Sequence, residues 1–201
     1  MSFILLGILN SQGGGGFEYW LSTLGSAGYE DGVAAVSDAS GNSYSIGSSA
    51  AGAGSYDALI VKFNSAGTIQ WQRVFGDSAF NPGIAIAYYS EDAIYITSQL
   101  NVNIIIAKYN SSGAIQWQKS LGGTGNDYGQ ALTTDSDGNV YLGGATDQNV
   151  FGGFRGFLVK YNSSGVIQWQ RVFGSSFQYG QAVASDSSNN IYLSTKPFWT
   201  C

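Results

Sequence analysis

The nine-residue word TIQWQRVFG at 68–76 returns as AIQWQKSLG at 114–122 and as VIQWQRVFG at 166–174. Nothing else in the chain restricts its fold as strongly, because a strand-like word written three times at a near-constant period implies one structural unit, repeated. Other markers keep step with it. Trp20, Trp71, Trp117 and Trp169 follow one another at 51, 46 and 52 residues, and Tyr44, Tyr95, Tyr141 and Tyr192 at 51, 46 and 51. Gly32, Gly83, Gly129 and Gly180 hold the same spacing, each with Ala two residues on. A period of 46–52 residues built from short alternating segments implies a β-propeller or a β-array.

Each unit reads as two hairpins. The first turns at DASGN (38–42), DSDGN (135–139) and DSSNN (186–190), with a degenerate YSEDA at 89–93; the second turns at NSAGT (64–68), NSSGA (110–114) and NSSGV (162–166). Asp or Asn opens each regular turn, and Gly or Asn takes the position that needs positive φ. The fold class is therefore all-β, a β-propeller of four-stranded antiparallel blades A to D, with blades at about 29–76, 80–122 and 127–174 and a partial one at 178–196. Strand A is rich in Ala, as suits the crowded innermost strand of a propeller. With Gly67 left-handed, the expected register pairs Phe63 with Ile69 and Val61 with Trp71. That puts these four on one face and Lys62, Gln70 and Gln72 on the other. The conserved-spacing residues Trp20, Trp71, Trp117, Trp169, Tyr44, Tyr95, Tyr141 and Tyr192 are the expected blade-packing set. FEYWLSTLG (17–25) reads as a D strand without its own A, B and C, and the fourth blade stops after B, so the ring is closed by the N-terminal strand, by another chain, or by sequence beyond Cys201.

Composition narrows the function classes. With 44% hydrophobic and 14% aromatic residues the chain has a real core to bury, and its net charge of −5 leaves no basic patch to track phosphates. Nucleic acid is not an expected partner. There is no His, and Cys201 is the one Cys. That removes a Cys/His nucleophile pair, an intrachain disulfide and the usual His/Cys zinc site. No Lys or Arg precedes Lys62, unlike a secretion signal, and the apolar run Phe3–Leu9 is too short to span a bilayer.

GNVYLGG (138–144) followed by GFLVKYNSSGVIQWQ (156–170) resembles the SBBP β-propeller repeats common in bacterial surface proteins and in phage proteins. The resemblance runs over about residues 17–196 and implies a binding or structural module. MSFILLGILNSQ with its sequel GGGGFEYW resembles the openings of virion structural proteins of marine cyanophages and related tailed phages. This second resemblance covers about the first 16 residues. It implies an N-terminal arm that docks on the particle, with Phe3, Ile4, Leu5, Leu6, Ile8 and Leu9 as buried anchor and Gly13 to Gly16 as joint, and the propeller displayed outward.

Four constellations could carry chemistry. DSDGN resembles the start of a calcium loop, but the later bidentate acid is absent, so a hairpin turn is expected and no metal site. Lys62, Lys108 and Lys160 on strand C, with Arg73, Lys119 and Arg171 on strand D, form either a cationic ring for an anionic glycan or a set of stems covering apolar surface. The second is expected. The pairs Gln70/Gln72, Gln116/Gln118 and Gln168/Gln170 either bind sugar hydroxyls or satisfy one another along the sheet, and the structural role is expected. Glu30–Asp31 and Glu91–Asp92 are adjacent in predicted turns and cannot face each other as a glycosidase pair does.

The sequence thus predicts a non-enzymatic virion protein, a tail-fibre or appendage subunit, without cofactor. Its expected partners are other virion proteins through the arm, a host glycan or surface receptor, and further copies of the same chain. The alternative is a secreted or surface carbohydrate-binding propeller of a bacterium, with specificity in the unequal loops SAAGAGSYD and TDQNVFGGFRG.

Overall fold

A computed structural model describes residues 30–50, 56–76, 81–147, 153–174 and 178–197 in full, and 3–6 and 21–24 as backbone strands. All sixteen of the elements in these residues are strands: β1 (Phe3–Leu6), β2 (Leu21–Leu24), β3 (Glu30–Ser37), β4 (Ser43–Ser49), β5 (Asp57–Phe63), β6 (Ile69–Phe75), β7 (Gly83–Ser90), β8 (Ala93–Leu100), β9 (Asn103–Tyr109), β10 (Ile115–Leu121), β11 (Asp127–Thr134), β12 (Val140–Thr146), β13 (Arg155–Tyr161), β14 (Ile167–Phe173), β15 (Gln178–Ser185) and β16 (Ile191–Pro197). No helix among the described residues is long and apolar enough to cross a membrane. Strands β3 to β6, β7 to β10 and β11 to β14 form three four-stranded antiparallel meanders, and β15–β16 is a two-stranded half of a fourth. These are propeller blades. The chain divides into two compact units, Met1–Gly83 and Ile84–Cys201.

The N-terminal stretch contains a paired strand. Phe3–Leu6 is a strand, paired antiparallel with β2 so that Phe3 lies opposite Leu24 and Leu6 opposite Leu21. Likewise β2, expected as an outer strand completing the last blade, takes β1 as its partner. The physical reason is that four successive residues with apolar side chains form a ladder readily and satisfy their backbone N–H and C=O groups on one another. Ile8, Leu9, the Gly13 to Gly16 joint, Trp20 and the terminal Phe198 to Cys201 lie outside the described residues, as do the side chains of Phe3, Ile4, Leu5 and Leu6.

The regular turns share one construction. In the first blade the Asn64 N–H donates to the Thr68 carbonyl, Gly67 N–H donates back to Asn64, and the Asn64 Oδ1 accepts from the N–H groups of Ala66 and Thr68 at 3.1 and 2.8 Å. The same bonds recur around Asn110 and Asn162 and, with Asp as the first residue, around Asp38, Asp135 and Asp186. The fourth residue is left-handed in every case, Gly at φ near 75–80° or Asn189 at 64°. In the second blade YSEDA has no Asx residue at its start, and Glu91–Asp92 makes a two-residue turn instead.

In the three full blades strands B and C are central and largely buried while strand D is exposed; all seven residues of β4 are buried, and β10 is open along most of its length. In the second unit Ala85, Ala87, Tyr95, Ile104 and Ile106 of one blade form a continuous core with Leu132, Val140, Leu142, Phe157, Val159 and Tyr161 of the next. Full burial of a side chain such as Ile104 or Ile106 stabilises by about 2–3 kcal/mol. Within the second unit the repeated glycine of strand A lets neighbouring blades approach. A Cβ on Gly129 would stand 2.8 Å from Thr97 Oγ1 and 2.9 Å from Ile104 Cγ2, both on the preceding blade. Gly129→Ala is therefore an overpacking change, expected to cost about 2 kcal/mol in urea unfolding; an unchanged midpoint would show that the blades do not pack this closely.

Candidate functional site

The outer strand does not keep the register that its alternation suggests. In each blade a β-bulge at its start leaves one Gln without a partner: Phe63 pairs with Ile69, but Lys62 pairs with Trp71, and Gln70 is the extra residue. The same shift occurs at Gln116 and Gln168. Each extra Gln donates its side-chain amide to the turn carbonyl two residues back, at 3.3, 3.3 and 3.1 Å. These Gln residues thus lock the turn rather than satisfying one another along the sheet. The inserted residue reverses which face the rest of the strand presents, so Trp71 lies beside Lys62 and not beside Val61.

The consequence is a column of three residues across each blade. Tyr44, Lys62 and Trp71 stand directly opposite one another, as do Tyr95, Lys108 and Trp117, and Tyr141, Lys160 and Trp169. Tyr and Trp ring centroids are 6.2, 5.8 and 5.9 Å apart. Each Lys ammonium lies over its Tyr ring at 5.1–5.9 Å, and Arg73 and Arg171 lie over Trp71 and Trp169 at 5.5 and 5.7 Å. Lys119 aside, the basic residues at the repeat positions are thus held over aromatic faces. Trp117 also reaches the next blade: its ring stacks on Tyr161 at 6.3 Å, and its indole N–H donates to the Ser163 carbonyl at 3.0 Å. Gly165, left-handed in that blade's turn, brings its Cα against the Trp117 ring, where a Cβ would come within 2.8 Å. Tyr192 sits at the same repeat position on the half-blade and is 58% exposed.

The hydroxyls of Tyr95, Tyr141 and Tyr192 reach A–B turns. Tyr141 donates to Asp135 Oδ2 at 2.8 Å and Tyr192 to Asp186 Oδ2 at 3.0 Å. The second blade has no Asp at the first turn position, and Tyr95 donates instead to the Gly138 carbonyl of the next blade at 3.1 Å. Burial, with the Tyr89 hydroxyl and the Asp135 charge nearby, pushes the Tyr95 hydroxyl up to about 12. Asp135, the first residue of the calcium-like DSDGN, is buried and already engaged by the Asn139 amide, Tyr141 and Lys160 Nζ at 3.3 Å. Burial pushes its carboxyl up, but those hydrogen bonds outweigh it and hold it below the usual Asp range. Glu30–Asp31 opens β3 rather than lying in a turn, and Asp31 accepts the Ser48 N–H at 2.9 Å. Glu91–Asp92 lies in a turn as expected.

The other end of the blades in the second unit carries a different set of groups. Tyr128 of β11, Tyr179 of β15 and Phe154 just before β13 form an aromatic trio with centroid distances of 5.4, 5.2 and 6.5 Å. It is held in place by the Gln178 N–H, which donates to the Phe154 carbonyl at 2.9 Å. All three rings are half-buried. Next to Tyr179 opens a cleft of about 330 Å³ lined by Gln130, Tyr179, Gln181 and Lys196. Gln130 and Gln181 are the extra residues of the strand-A bulges, between Gly129 and Ala131 and between Gly180 and Ala182. Lys196 stands opposite Tyr179 on β16. Among the described residues the side chains of Gln130, Gln181 and Lys196 have no hydrogen-bond or ion-pair partner. Burial, then Tyr128 and Asp147, raise the Tyr179 hydroxyl. Sequence reasoning missed this cluster, although a signal was present: YGQA occurs twice, at 128–131 and 179–182. The unequal loop segments 51–55 and 148–152 lie outside the described residues.

A family model described as SBBP, beta-propeller repeat, matches residues 116–152, which run from the outer strand of the second blade through the first two strands of the third. Among solved structures the chain is similar to a protein of unknown function from Bacteroides caccae, determined at 1.35 Å, at 12% identity and a TM-score of 0.47. The similarity covers 67% of this chain and 46% of that one. Curated protein sequences gave no match. The repeat match and the four-stranded meanders agree on a protein built of β-propeller repeats.

The turn carboxylate gives a pH test. Because the folded value of Asp135 is depressed, its stabilisation is complete above the unfolded Asp value, near 3.9, and is lost as pH falls through the lower folded one. Asp135→Asn should cost about 2 kcal/mol near neutral pH through its buried hydrogen bonds. In thermal unfolding at pH 6, 4 and 2 the gap between the two proteins should shrink toward acid; a constant gap would mean that the charge at Asp135 contributes nothing.

Proposed function

We propose that this chain is a phage virion structural protein, a tail-fibre or appendage subunit that displays a non-enzymatic propeller for adhesion to a host surface. The observation that carries the adhesive part is the division of polar groups between the two ends of the blades. At the turn end, the acids Asp38, Asp135 and Asp186 are engaged inside their own turns and most of the repeated cations lie over rings. At the other end, Gln130, Gln181 and Lys196 line an open cleft with no partner among the described residues. Ungated polar groups beside half-buried rings suit reversible binding, whereas bond cleavage needs acid and base groups held at a defined separation. Placement on a virion is supported by the start MSFILLGILNSQ and its resemblance to the openings of phage virion proteins. In that reading the N-terminal segment attaches the chain to other virion proteins, and repeated copies present the propeller outward.

The aromatic trio favours a second reading, a bacterial secreted or surface carbohydrate-binding propeller, since clustered rings beside amides suit a sugar whatever carries them. Assembly separates the two. Particles assembled with the full chain should carry it in stoichiometric amounts by quantitative mass spectrometry, and a chain lacking residues 1–12 should fold but be absent from them. A truncated chain that still joins the particle, or that no longer unfolds cooperatively, would contradict the anchor.

A further inference from the structure

We infer that the cleft between the inner strands β11 and β15 binds a pyranose ring bearing a carboxylate, a uronic-acid residue of a surface glycan. The inference deepens the adhesive part of the proposed function and rests on it. A volume of about 330 Å³ lies at the small end of the roughly 300–1,000 Å³ that small-ligand sites occupy. It suits one or two sugar rings better than a folded partner.

The lining matches the two kinds of surface that a pyranose presents. Its ring face is a patch of C–H groups, and Tyr179, backed by Phe154 and Tyr128, offers a half-buried aromatic face to cover it. Its rim is a ring of hydroxyls, each both donor and acceptor. Gln130 and Gln181 each supply a carbonyl oxygen and two N–H donors, and neither is engaged by another described residue. Both stand at bulges, where an extra residue turns a side chain out of the ladder without breaking the strand. The acidic substituent follows from Lys196. It stands outside the two cationic positions of the repeat and has no anionic partner among the described residues, so a ligand carboxylate is the charge it can pair with. A polyanionic nucleic acid does not fit as well, because one lysine on a chain of net charge −5 cannot offset a run of phosphates.

Isothermal titration of the full chain with a galacturonic acid trisaccharide and with the matching neutral galactose trisaccharide tests this. Both should bind, the acidic sugar about fivefold or more tightly, and Lys196→Gln should remove that preference while leaving the neutral sugar unchanged. The double substitution Gln130→Ala with Gln181→Ala should weaken both about tenfold or more, in keeping with two lost hydrogen bonds. Neither Gln is in the packed core, so thermal unfolding of this variant should match that of the parent; Tyr179→Ala is the less secure test because it also disturbs the trio. No heat with either sugar at millimolar concentration, equal affinity for the two, or binding indifferent to the Gln pair would overturn the site. These outcomes are independent of particle attachment. A chain found on virions without sugar affinity sinks this inference alone, and sugar affinity in a chain absent from virions sinks only the virion placement.

Discussion

In each blade the extra Gln at the start of the outer strand donates its amide to a turn carbonyl, and the chemistry of the blade depends on that bond. By holding one residue out of the ladder it shifts the rest of the strand by one position, and a one-residue shift moves every following side chain to the other face. Trp then meets Lys and Tyr instead of the apolar face of strand C. The result is a cross-strand stack in which cations cover aromatic rings, with the Tyr hydroxyl reaching a turn below. Without the bulge the same residues would place the lysine and the tryptophan on opposite faces, with Trp71 beside Val61 and away from the Tyr44–Lys62 pair.

Coupling between the blades of the second unit follows from these columns. Trp117 reaches the turn at Ser163 and Gly165, and Tyr95 and Tyr89 reach the turn at Gly138 and Ser136. That turn in turn contacts the half-blade, where Asn189 Oδ1 accepts the Ser136 N–H at 2.9 Å and its amide donates to Ser136 Oγ at 2.8 Å. Each regular turn is braced by its Asx side chain, which accepts two N–H groups of its own backbone, and the turn seats a neighbour's ring. The turn end is thereby committed to structure. Openness is left to the opposite end, where the inner-strand bulges set Gln130 and Gln181 beside Tyr179.

Much of the fold was legible in the sequence for local reasons. An Asp or Asn four residues before the close of a turn and a Gly or Asn at the left-handed position are direct statements of backbone geometry, and strand order followed from them. The outer-strand register was not legible. IQWQ alternates as a regular strand does, and nothing in the residue types marks Gln70 as the unpaired one; its role appears only when the amide meets the Thr68 carbonyl. The pairing of the apolar start was not legible either, since a run of Phe, Ile and Leu carries no local signal for a strand partner 15 or more residues away. The cleft was missed for another reason: strand A was weighed for its small alanines, whereas the informative residues were the larger Tyr and Gln between them in YGQA.

The central claim is the bulged register, and a double-mutant cycle on Tyr95→Leu and Trp117→Ala, followed by urea unfolding, tests it most directly. If the two rings share a face at 5.8 Å, the pair should be non-additive by about 0.5–1.5 kcal/mol. Additive losses would place Trp117 on the opposite face, as in an unbulged strand, and the columns described above would not exist.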